Sequence, residues 1–143
     1  MEENVLSMPP EFKLYSDRAV YVGTFIGGPL VAGYLAAENF KQLGEQDKVK
    51  YAWLIAIAAT IIIFAAIFLI PGIENVPRLV IPLAYTLVAQ LLIKRYQGDA
   101  IKAHIEKGGA LYSVWRSVLV GIIGLVILVA IVFVIVLSTN KEL

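Results

Sequence analysis

Three groups of residues in this chain have types and spacing that could do chemistry. Thr86 and Gln90 stand four apart, which places them on one face of a helix, with Tyr85 adjacent and Pro82 one turn earlier. Inside an apolar segment such a pair either bonds across to another helix, for about 0.6–2 kcal/mol, or lines a site for a polar, uncharged solute. His104 forms the second group. In the run KRYQGDAIKAHIEKGG, Ile101, His104 and Ile105 fall on one side of a short helix, and Lys102 and Lys107 lie at its basic edge. An apolar stripe beside cations suits an anionic membrane surface or a docking partner. The third group is made of small residues: Gly23 and Gly27 in a GxxxG spacing, then Gly28, Pro29 and Ala32. In lipid, small residues let helix backbones approach. Proline also frees the carbonyl four residues back, at Phe25, which a neighbour must satisfy.

Catalytic chemistry finds little to work with. The chain has no cysteine and a single histidine, which excludes disulfides, thiolate metal sites, a cysteine nucleophile and a multi-histidine centre. Nothing near His104 completes a dyad. Asp, Glu, Lys, Arg and His are missing from the middle of every apolar segment, so proton relays and ion pathways have no carriers. No catalytic, cofactor-binding or metal-ligating residue is assigned, and a net charge of +1 gives nucleic acid no purchase.

The elements that position these groups are read from hydropathy. Of 143 residues, 59% are hydrophobic and 16% charged, and mean hydropathy is +0.81. Soluble domains run at about 45–50% apolar and about 25% charged, so the solvent here is lipid. Four apolar segments, at 19–37, 52–70, 79–93 and 118–137, predict four membrane-crossing helices, since about 20 residues cross a bilayer. With their flanks these become helices at about 17–43, 50–70, 77–97 and 114–138. A short interfacial helix at about 99–107 begins at Asp99. The predicted fold is an all-α, single-domain polytopic membrane protein of two helical hairpins. A faint repeat supports the pairing: Pro29 precedes Gly44 much as Pro82 precedes Gly98, and Trp53 and Trp115 each open the following helix. Segments two and four are almost wholly aliphatic and should face lipid, leaving one and three inside.

Ser16 and Ser113 are candidate caps, Gly44 a helix end, and Pro71-Gly72 a break. The N-terminal run opens with Glu2 and Glu3 rather than a basic region, unlike a signal peptide. With four spans, loops one and three carry Lys41, Lys48, Lys50, Lys94, Arg95, Lys102, Lys107 and Arg116, against Lys13, Arg18, Arg78 and Lys141 on the other side. The positive-inside rule then places both loops in the cytoplasm and both termini outside. The rival arrangement has segment one dipping in and out at Gly27–Pro29, which brings the N-terminus inside.

The runs GGPLVAGYLAAENFKQLG, QGDAIKAHIEKGG and VWRSVLVGI resemble small bacterial four-span inner-membrane proteins of unknown function. The resemblance implies a bacterial inner-membrane setting and brings no activity, substrate or site residue. Three functions remain open. The first is a non-catalytic accessory or interaction protein, joined to a larger membrane complex or protective in the manner of an immunity factor. The second is a small oligomeric transporter or channel for a neutral or polar solute, with Tyr34, Tyr85, Thr86 and Gln90 as its available lining. The third, an enzyme on lipid head groups, has no catalytic constellation. Expected partners are membrane lipid and another membrane protein or a second copy.

Overall fold

The computed structural model describes residues 9–141; Glu2, Glu3 and the last two residues lie outside them. The described chain is all-α: α1 (Asp17–Gly27), α2 (Pro29–Gln42), α3 (Gln46–Leu69), α4 (Val80–Glu106) and α5 (Val114–Asn140), with one 3-10 turn at Ile73–Asn75. Two of these helices, α3 and α5, are long and apolar enough to cross a membrane. The expectation of four such helices is corrected at segments one and three.

Segment one is not one helix. Ser16 caps α1, its hydroxyl accepting the Ala19 N–H at 3.1 Å. The helix ends at Gly28, whose φ of 88° and ψ of −174° lie in a region that is essentially glycine's alone. Pro29 then opens α2 at the first helical position, where its missing N–H leaves no bond unmade. The chain reverses here rather than kinking. Tyr15, just before α1, meets Asn39 near the end of α2, and Gly23 lies against Leu35. At about 1.5 Å per residue, α1 and α2 run about 16 and 21 Å, each short of a hydrocarbon core of about 30 Å.

Segment three and the interfacial helix are one continuous α4 of 27 residues. The expected break at Gly98 does not occur, and Asp99 lies mid-helix. A glycine in a helix costs only about 1 kcal/mol against alanine, and Gln97, next to it, is buried and bonded on both sides. The two halves of the repeat also differ, since Gly44 lies just past the end of α2 while its counterpart Gly98 interrupts no helix.

The α1–α2 hairpin is the hub. α1 packs on α4 and α5, and α2 packs on α3, whereas α3, α4 and α5 make no close backbone approach to one another among the described residues. α5 runs parallel to α1, Ser117 facing Gly23 and Gly121 facing Gly27. Leu14, Tyr15, Val20, Leu35, Ile93 and Ile101 form the core. α3 buries fully only Ala56, and α5 only Ser117 and Gly121. α4 was expected inside, yet it buries one seam only; Leu83, Leu87, Val88 and Leu91 stand exposed.

The chain before α1 closes the open end of the hairpin. Leu14 N–H donates to Ala110 O at 3.4 Å, and Tyr112 N–H donates to Leu14 O at 2.9 Å. The N-terminal strap and the 107–113 connection therefore share one end of the molecule. α5 carries the other terminus away from it, so the two described ends lie on opposite faces.

Candidate functional site

Two sites stand out, one at each end of the hairpin. The open end is a polar latch. Asn39, fully buried, grips one peptide unit on either side of Tyr15: its Oδ1 accepts the Tyr15 N–H at 2.8 Å, and its Nδ2 donates to the Tyr15 carbonyl at 2.9 Å. The same Nδ2 donates to Gln97 Oε1 at 3.0 Å. Gln97 Nε2 in turn donates to the Ala36 carbonyl at 2.9 Å. Strap, α2 and α4 are thus joined through two side-chain amides with little exposure. Burying such groups is favourable only when they are bonded, and here each bond also fixes register between elements.

Aromatic and cationic side chains extend the latch. Arg116 Nε donates to the Tyr15 hydroxyl at 2.9 Å, and its guanidinium lies 4.5 Å from the Tyr112 ring centre. The Tyr15 and Tyr112 rings are 4.5 Å apart. His104 Nε2 donates to the Ala110 carbonyl at 2.7 Å, Phe12 stacks on its ring at 4.9 Å, and Gly109 lies so close to the ring that no side chain fits there. His104 Nδ1 is buried and has no hydrogen-bond partner among the described residues.

The tip end is apolar. Below Gly27–Leu30 lies a half-open cavity of about 300 Å³, walled by α3 (Thr60, Ile63, Phe64, Ile67), by α4 (Ile81, Pro82, Tyr85), by Leu128 of α5 and by Arg78. It exists because the hairpin fills only one half of the space between the three long helices. Thr60 turns its hydroxyl back to the Ala56 carbonyl at 2.8 Å.

The structure divides the residues singled out by sequence. Gly23 and Gly27 pack on α5; a Cβ on Gly27 would lie 2.7 Å from the Gly121 carbonyl oxygen. Gly28 meets nothing within 4 Å, so it serves backbone geometry and not packing. Ala32 is half-buried. Thr86 is fully buried, but its hydroxyl donates to Pro82 O at 2.6 Å within its own helix. Gln90 is half-buried, and Tyr85 lines the tip cavity. Ile101 and His104 are buried under the chain's own strap, leaving Lys102, Ile105 and Lys107 exposed. The five do not form one outward surface. Sequence reasoning missed Asn39, Gln97 and Tyr15. It also missed Gly33, which lies against Ala52 and Ala56 of α3. An asparagine two residues past the apolar run was the available signal for the latch.

No family model matches the chain, and no curated protein or solved structure aligns with it significantly.

Proposed function

We propose that this chain is an integral membrane protein of non-catalytic, accessory character, which assembles with a larger membrane complex or acts as a protective, immunity-type factor. In this reading α3, α4 and α5 cross the bilayer, and the α1–α2 hairpin enters and leaves by the same face. Charge supports that arrangement. Lys13, Arg18, Lys41, Lys48, Lys50, Lys94, Arg95, Lys102, Lys107 and Arg116 then lie on one side, and only Arg78 and Lys141 on the other. The positive-inside rule assigns the first side to the cytoplasm, with the N-terminal strap inside and the C-terminal end of α5 outside. Four straight spans divide the same residues far less unevenly.

The observation that carries the non-catalytic reading is the use made of the buried amides. Asn39 and Gln97 are both taken up in holding backbone, which is scaffold work. The exposed cytoplasmic edge at Lys102, Ile105 and Lys107 is the surface assigned to a partner. Native purification in mild detergent tests this: a stoichiometric foreign protein is expected, and it is lost in Lys102→Glu/Lys107→Glu while expression stays normal. Recovery of the partner undiminished by the double reversal overturns this role for the edge. One observation favours the transporter reading: helix ends that meet beside a cavity, as α1 and α2 do at Gly28, are a recurrent feature of solute sites. A homo-oligomer that conducts flux in liposomes would decide for it.

The topology has its own test. The chain has no cysteine, so single cysteines report cleanly. In intact cells Glu11→Cys, Gln46→Cys and Ala103→Cys resist an impermeant thiol reagent, and Asn140→Cys reacts. Labelling at Glu11 with protection at Gln46 would restore a fully crossing first segment.

A further inference from the structure

The cavity beneath the hairpin tip is placed for a ligand from the bilayer itself. In the membrane arrangement proposed above, on which this inference rests, the cavity occupies the outer half of the bilayer. Its roof is the Gly27–Leu30 turn at mid-depth, and its outer end is marked by Arg78 in the connection before α4. The walls are aliphatic and aromatic, from Ile63, Phe64, Ile67 and Ile81. The Thr60 hydroxyl is already bonded to its own helix. A water needs two to four polar partners to stay in such a place, and apolar cavities remain dry. A volume of about 300 Å³ is at the lower end of ligand cavities. Arg78 is exposed and makes no ion pair among the described residues; guanidinium is the side chain best matched to phosphate oxygens. Tyr85 adds a phenol to the lining.

We propose that this cavity holds one acyl chain of an anionic phospholipid from the outer leaflet, with the lipid phosphate paired to Arg78. The chain lies along the Ile63–Ile67 wall towards the hairpin tip, and the Tyr85 hydroxyl serves the ester region. The lipid then completes the packing that the short hairpin leaves unfinished between α3, α4 and α5.

Native mass spectrometry of the full chain in mild detergent, with added dioleoyl phosphatidylglycerol or dioleoyl phosphatidylcholine, tests the proposal. A single phosphatidylglycerol adduct is expected, up to about fivefold tighter than the phosphatidylcholine adduct, because the choline cation competes with Arg78 for the phosphate they share while phosphatidylglycerol has no internal counter-charge. Arg78→Gln erases this preference, while Arg95→Gln, a cation near the opposite face, keeps it. Ile81→Trp and Ile63→Trp, which fill the cavity from two walls, abolish the adduct. Equal binding of both lipids, or an adduct indifferent to Arg78 and to both tryptophans, overturns the site. Flotation with liposomes after an alkaline wash scores membrane insertion separately. A protein that floats without an Arg78-dependent adduct removes the lipid site alone, and one that does not float removes the membrane reading beneath it.

Discussion

The open end and the tip of the α1–α2 hairpin are held by opposite means. At the open end, buried amides bind backbone: Asn39 to both sides of Tyr15, and Gln97 to Ala36. At the tip, no side-chain hydrogen bond among the described residues holds the turn to its neighbours. Gly28 supplies a backbone geometry, and Gly27 brings α1 onto Gly121 of α5. The difference shows how a short helical hairpin is specified. Hydrogen bonds set its register at the open end, and the absence of side chains sets how closely its tip packs.

That contrast predicts a ranking of damage. Asn39→Leu should have the largest effect. It strands the Tyr15 N–H, the Tyr15 carbonyl and Gln97 Oε1 together, and each buried unpaired group costs about 1–3 kcal/mol. Thermal unfolding in detergent measures it, and a melting temperature equal to the parent's would show that the latch holds nothing. At the tip, Gly27→Leu and Gly28→Leu should each destabilise by about 1–3 kcal/mol, the first by overpacking and the second by backbone strain. Val126→Leu, at a position 62% exposed, should change little; equal melting of all three variants would remove the close-packing account. Within the latch, the smaller effect is expected for Arg116→Ala. Arg116 is exposed, and Tyr15 keeps its contact with the Tyr112 ring. A loss at Arg116 rivalling that at Asn39 would move the latch's centre from the amides to the aromatic edge.

Hydropathy made part of this architecture legible. The aliphatic runs of α3 and α5, the caps Ser16 and Ser113 and the break at Gly28 all follow from local residue types. The direction of the chain after Gly28 does not. An apolar run of crossing length reads alike whether it continues or folds back, because hydropathy carries no orientation. The contacts that decide it join Tyr15 to Asn39 and Asn39 to Gln97, 24 and 58 residues apart, beyond the reach of any helical period. The stripe of Ile101 and His104 was visible, but its covering was misassigned. Phe12 and the strap occupy the face that an isolated amphipathic helix would offer to lipid or a partner. At Gly98 a single weak helix former was overridden by the buried bonds of Gln97, as tertiary contacts commonly override propensity.

The pairing of Leu14 with Ala110 and Tyr112 has a consequence for the order in which the molecule is made. The ribosome delivers α1 and α2 before the partners that seal their open end, Gln97, Ala110, Tyr112 and Arg116. Loop closure over such separations is slow. Helices α1 and α2, made before the other three, therefore reach their final state last, once α5 has packed alongside α1, and a chain stopped after α4 has Gln97 for Asn39 but no α5 on which Gly23 and Gly27 can settle.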